Sequence, residues 1–374
     1  MITPLPPKII FANQLRGIAA LCVVFTHYLG IYFGMQEAVA AWTFSPNFDF
    51  LPPPWTAYLY FRNFNFGPFG VGVFFLISGF VIPFSLTQLS PRRFLVARFF
   101  RLYPTYLVCF AISCLTVWIS AQLYATPYVW SAQEVLANVL LLHTNLGIPS
   151  LDLVNWTLAV EIKFYLLMAC CGAAVIRRGF MHLFLFALLV LGVTLLLTHA
   201  SPGVLVRGLG AVLVELNFVV FMSIGILFYQ HMSGLISTAA LGLRILLLAA
   251  LFGLSWTLGP RHVEAVAIIQ NYYFALGLFA VAYVARGYFR RIRLLDFFAD
   301  ISYPLYLIHS LFGYVAMKWM MRHGLDYAVA LALTLVAVSA LAYLIHRVVE
   351  LPSARFGKLI GGSTARAIDR SAQG

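Results

Sequence analysis

The chain has 374 residues, of which 62% are hydrophobic and only 10% charged, with a formal net charge of +12. A soluble domain carries roughly a quarter charged residues, so this composition excludes an ordinary soluble protein and indicates a polytopic membrane protein. The apolar runs are helical in length, which excludes the short alternating strands of a barrel.

Ten spanning segments are expected, at about 9–33, 67–88, 101–122, 156–176, 180–198, 211–230, 243–258, 265–285, 297–321 and 327–349, giving an all-α architecture. The first run is too long for a signal-peptide core and no small-residue cleavage site follows it, so it counts as a span. Of the 24 Lys and Arg, eighteen fall on one side of this arrangement, five on the other, and Lys163 lies within the fourth segment. That bias places both termini in the cytoplasm. It also accounts for the basic charge without nucleic acid. Residues 353–374 read as a short, polar, disordered cytoplasmic tail after a membrane domain over 1–352. The second half does not repeat the first, which disfavours a transporter of duplicated halves.

The first segment carries two groups that lipid would penalise, Arg16 and His27. They are eleven residues apart, so a helix puts both on one face, about 16 Å apart along its axis. His27 can take and give a proton near neutral pH, or it can be a buried histidine bonded to backbone. The second segment, GPFGVGVFFLISGFVIPF, is rich in glycine; Gly70, Gly72 and Gly79 permit close helix approach. Ser78 there bonds either backbone or substrate.

The inner loop before the third segment holds Arg92, Arg93, Arg98 and Arg101. Arg98 and Arg101 share a helix face and would suit a phosphate clamp, although the orientation rule alone also puts arginines here. Glu161, in the fourth segment, is expected at a depth similar to His27, where it could orient that ring and stabilise its protonated form. Lys163, two residues on, faces away from it. Glu215 reads as a structural acid at a helix start. The ninth segment contains Tyr303, Pro304, Tyr306 and His309; Pro304 should kink or open it, and His309 is either core or site.

The outer loops 34–66 and 123–155 are long and aromatic. Such residues suit the membrane interface and also stack on sugar rings. Cys22, Cys109, Cys114, Cys170 and Cys171 lie in apolar runs and read as small buried hydrophobes. No Walker loop, GxSxG elbow, HExxH or defensible metal spacing occurs, so no metal is expected.

Five stretches together carry a resemblance: LRGIAALCVVFTH, GVFFLISGFVI, ARFFRLYP, WTLAVEIKFY and ISYPLYLIH. In this order, over roughly residues 13–310, they resemble the acyltransferase-3 family of integral membrane acyltransferases, many of which modify cell-surface polysaccharides. The resemblance implies ten core helices in a cell (inner) membrane, a cytoplasmic acyl-CoA donor, acetyl-CoA being the common default, and an acceptor hydroxyl often reached from outside. Arg16 and His27 match the essential arginine–histidine pair, and Arg98 and Arg101 the pair assigned to the donor. Some members carry a fused esterase-like domain; this chain is expected to be a stand-alone member.

On that footing His27 and Glu161 are the expected catalytic residues, with Arg16, Arg98 and Arg101 binding acyl-CoA. Ser78, Tyr303 and His309 are candidates for substrate contacts, and Ser78 and Tyr303 for the oxyanion. The expected partners are a saccharide acceptor, lipid-linked or free, membrane lipids and polysaccharide export machinery. A small-molecule acceptor such as a macrolide, or a translocase of a lipid-linked sugar without acyl chemistry, are the alternatives.

Overall fold

In the computed structural model of the chain, residues 9–362 are described, except 60, 62 and 199–203. The fold is all-α: among the described residues there is no strand, only an isolated bridge between Phe61 and Phe64. The first segment is α1 (Ile10–Phe25), which widens into a π-helical turn over Thr26–Ile31 and ends in α2 (Tyr32–Gly34). A short α3 (Gln36–Trp42) follows in the first outer loop. Then come α4 (Phe66–Leu86), α5 (Pro91–Leu123), the loop helix α6 (Ala132–Val139), α7 (Trp156–Arg178) and α8 (Phe180–Thr198). The second half holds α9 (Val204–Met232), α10 (Thr238–Leu258), α11 (His262–Val284), α12 (Arg293–Arg322) and α13 (Tyr327–Ile345). A second π turn, His346–Glu350, joins α13 to α14 (Leu351–Gly362).

Among the described residues, eight helical segments are long and apolar enough to cross a membrane. The two other long helices, α7 and α12, span 23 and 30 residues. Both carry charge along the helix, Glu161 and Lys163 in α7 and Asp296, Asp300 and Lys318 in α12. Charged residues in a membrane protein are tolerated where they face protein or a cavity. Consistent with this, α12 packs against α1, α5 and α13, and from Pro304 to Leu311 every residue is buried. The ten expected spans correspond to ten long helical segments among the described residues, with α5 beginning ten residues and α9 seven residues earlier than expected. α12 continues as one helix through Pro304, so of the kink or opening expected there the opening is absent.

Small residues let α4 approach α9 backbone to backbone. Gly79 of α4 faces Gly225 of α9, and a Cβ on Gly79 would collide with the Met222 carbonyl. A Cβ on Gly70 would approach the Ala19 carbonyl oxygen to 2.7 Å, so α4 also presses on α1. Without a hydrophobic drive between helices in lipid, such backbone approach supplies the dispersion contacts that hold them together.

Two expectations are corrected. The chain does not become irregular at 353: α14 is helical and lies on α5, with Gly357 against Phe100 and Ala97. Residues 363–374 lie outside the described part. Of the cysteines, Cys22 and Cys109 are buried, but Cys170 and Cys171 are on an exposed face of α7; all five are free thiols.

The second outer loop folds back into the bundle. Ser131 and Glu134 form a reciprocal capping box that starts α6. Beyond it, Asn138 Nδ2 donates to the Pro149 carbonyl at 3.1 Å, and Asn155 Nδ2 donates to Tyr106 at 3.1 Å and to Asn138 at 2.9 Å. The Asp152 carbonyl accepts from Ser310 of α12 at 2.8 Å. Ser310 is fully buried and adjoins His309, so this loop reaches the interior of the helix bundle. The first outer loop is fixed at α12 as well, through Lys318 Nζ donating to Ser45 at 2.7 Å and to the Pro46 carbonyl at 3.1 Å.

Candidate active site

Arg16 and His27 both face α12, as a shared helix face requires. One Arg16 Nη2 donates to the Ala299 carbonyl at 2.9 Å, while His27 Nδ1 is 2.7 Å from the Tyr314 hydroxyl. The two contacts lie fifteen residues apart on α12. His27 is the second residue of the π turn Thr26–Ile31. Such turns open the α-helical hydrogen-bond ladder and recur at functional sites.

His27 has a second histidine beside it. The His309 ring lies 4.6 Å away, edge-on at 87°. His309 Nδ1 contacts the carbonyls of Tyr306 at 2.9 Å and Leu305 at 3.2 Å. Carbonyl oxygens only accept, so Nδ1 carries the proton and Nε2 of the neutral ring is a bare lone pair. That Nε2 is buried without a partner among the described residues. His309 itself is held by Tyr28, whose hydroxyl donates to its carbonyl at 2.7 Å. The sequence left His309 open between core and site; the structure places it in contact with His27.

Glu161 is not beside His27. It accepts from Ser78 at 3.2 Å and from the Tyr165 hydroxyl. The reason lies in the infolded outer loop. Its tether at Ser310 sets the start of α7 near the level of His309, so Glu161, about 7 Å further along the axis, falls towards the arginines. The expectation that it orients His27 is therefore corrected; Tyr314 and His309 occupy that position.

The arginines converge on one cavity of about 140 Å³, lined by Arg16, Arg98, Arg101, Ser78, Glu161, Tyr165, Tyr303, Tyr306 and Glu350. Arg98 Nη2 donates to Ser85 at 2.6 Å, and its guanidinium stacks over Phe94 at 5.3 Å and Tyr165 at 5.5 Å. Arg16 Nε is buried with no partner among the described residues. Three guanidinium groups against two carboxylates make this an anion-attracting cavity with donor capacity to spare.

Ser78 and Tyr303 both line it, but each has its proton committed: Ser78 to Glu161, and Tyr303 to the Leu102 carbonyl at 2.9 Å. Neither is a free donor for an oxyanion. From the arginines, the cavity wall leads to Tyr306, whose hydroxyl is 3.0 Å from Thr157. The Tyr306 ring is 6.0 Å from His309. A line of side chains thus connects Arg16 to His27 along α12.

Sequence reasoning missed Tyr314 and Glu350, and gave Tyr165, in the stretch WTLAVEIKFY, no role. Glu350 closes the second π turn, where it pairs with His346 at 2.7 Å. An acid ending a long apolar run was the available signal for it. Lys163 pairs with Glu215 at 2.8 Å, in keeping with its facing away from Glu161.

A family model described as an acyltransferase domain matches residues 9–347. No curated protein and no solved structure matches the chain.

Proposed function

The chain belongs to the acyltransferase-3 family, and from that premise we propose that it transfers an acyl group, acetyl by default, from cytoplasmic acyl-CoA to a saccharide hydroxyl reached from the outer side of the cell (inner) membrane. The observation that carries this reading is the shared face of α1: Arg16 at an arginine-lined cavity, His27 beside two further polar rings, and α12 contacting both.

In this reading the phosphates of acyl-CoA dock on Arg98, Arg101 and Arg16. The pantetheine arm follows the line of Tyr303 and Tyr306, covering roughly the 16 Å that separate Arg16 and His27 on an ideal helix. His27 Nδ1 is engaged by Tyr314, leaving Nε2 for the acceptor. Nε2 takes the hydroxyl proton as the oxygen attacks the thioester carbon. The tetrahedral intermediate collapses with cleavage of the C–S bond, and the imidazolium returns the proton to the departing thiolate. The products are an acyl ester and free CoA. Glu161 does not act on His27; with Tyr165 it braces Arg98 and the cavity wall.

The test is acetyl-CoA binding by calorimetry to wild type and to Arg98→Ala/Arg101→Ala. Binding that weakens by at least tenfold in the variant supports the assignment. A folded protein that binds neither acetyl-CoA nor a longer acyl-CoA overturns it in favour of a translocase.

A further inference from the structure

Glu161 offers the arginine cavity something that the arginines cannot, a hydrogen-bond acceptor. Its two donors within the chain, the hydroxyls of Ser78 and Tyr165, both fall on Oε1. Oε2 accepts from no described residue, and packing does not seal it off: Glu161 is half-buried and lines the cavity. Glu161 also takes part in none of the ion pairs between described residues. Glu350, the other acid of the cavity wall, has its Oε2 on His346 at 2.7 Å. A carboxylate inside a membrane domain calls for donors, so the accessible Oε2 marks a place where a bound molecule can supply one.

Its depth is set by α4. Arg98 meets Ser85 at 2.6 Å, and Glu161 meets Ser78 at 3.2 Å. The two serines are seven residues apart, so they share a face of α4, with the Glu161 contact about 10 Å further along the axis. A phosphate on Arg98, Arg101 and Arg16 engages the guanidinium donors. A second anionic group at the level of Ser78 would be repelled by Glu161. A simple polyanion therefore suits one end of the cavity only. A molecule with a phosphate at one end and an N–H about 10 Å beyond it suits both.

We propose that Glu161 Oε2 accepts an amide N–H of the pantetheine arm of acyl-CoA and so sets how far the arm enters the cavity. This inference rests on the acyl-transfer reading for the identity of the donor. In an extended arm the two amide nitrogens lie about 8 and 13 Å from the pyrophosphate, on either side of the depth of Ser78. The adenine amino group lies on the other side of the pyrophosphate, away from this acceptor. Beyond Glu161 the wall leads through Tyr306, 6.0 Å from His309, to His27, the direction that the thioester has to take. Glu161 is then a binding residue for the arm and not a base.

The experiment is calorimetry on the full chain in lipid nanodiscs with two ligands, acetyl-CoA and adenosine 3′-phosphate 5′-diphosphate, which keeps the phosphates and lacks the arm. Glu161→Gln can keep its carbonyl oxygen on Ser78 and Tyr165, but then turns an amide N–H₂ towards the cavity, which donates and cannot accept. Loss of the negative charge favours the phosphates of both ligands alike, so the readout is the ratio of the two dissociation constants, acetyl-CoA over nucleotide. In the variant this ratio is expected to rise about tenfold. An unchanged ratio means that Glu161 acts on the arginines alone, and overturns the contact. Wild type is also titrated with acetyl-CoA analogues in which one or the other amide N–H is replaced by an ester oxygen. At least one is expected to bind about tenfold more weakly than acetyl-CoA; two analogues that bind as well as acetyl-CoA overturn the contact. These analogues decide the matter where Glu161→Gln fails to fold or the nucleotide binds too weakly to titrate. Acetyl-CoA binding with an unchanged ratio removes this contact and leaves the donor reading standing. A folded wild type that binds neither acetyl-CoA nor the nucleotide overturns both.

Discussion

His27 Nδ1 and the Tyr314 hydroxyl lie 2.7 Å apart, so the base proposed for acyl transfer is oriented by a phenol and not by a carboxylate. A neutral partner fixes the ring without adding a charge to a buried site. Tyr314→Phe keeps the packing and removes that contact. The acyl-transfer rate is expected to fall about tenfold, with KM for acyl-CoA nearly unchanged. A rate equal to wild type in this variant would assign Tyr314 to packing alone.

Loss of the base itself should be far more severe. His27→Gln retains size and polarity but cannot take a proton, and a fall in kcat of about 10²- to 10⁴-fold is expected. Acetyl-CoA binding, read by calorimetry, should persist, because His27 is not part of the arginine cavity.

Arg98 is held by the Ser85 hydroxyl and by two rings, contacts that depend on a planar guanidinium. Lysine cannot stack in that way. In Arg98→Lys the Kd for acyl-CoA should rise about tenfold although the charge is kept. Unchanged affinity would mean that charge alone serves the donor.

The crossing of α4 and α9 has no room for a side chain at Gly79. Gly79→Val should reduce the folded yield and lower Tm by more than about 5 °C, since backbone meets the new methyls and neither helix can move alone. A fold as stable as wild type would show that the helices separate at little cost.

His143 lies in the second outer loop, where burial, and secondarily the nearby Lys163, depress its pKa from the usual 6.5 to about 4. The folded chain therefore prefers the neutral ring, while the unfolded chain binds a proton between those values. The contribution to stability is complete above about pH 6.5 and is lost as pH falls towards 4. Thermal melts at pH 7 and pH 5 should show a larger drop for wild type than for His143→Gln. Equal drops would remove His143 as the cause.

Composition and the distribution of Arg and Lys were enough to establish an all-α membrane protein and to set its expected orientation, because lipid penalises charge and leaves a regular trace along the chain. The helical period alone put Arg16 and His27 on one face, and both do meet α12. The five family stretches marked the arginines that converge on the inner cavity. Periodicity says nothing of how deep a helix begins. The depth of Glu161 depended on a loop of polar side chains, Asn138, Asp152 and Asn155, that folds into the bundle and bonds to Ser310. The partners of His27 depended on α12, almost three hundred residues away in the chain. Tyr314 and His309 reach it because the π turn at Thr26 and the run of α12 through Pro304 bring their rings together. A sequence carries the chemistry of each side chain and its face on a helix, but which groups share a buried volume is decided by how loops and helices pack against one another.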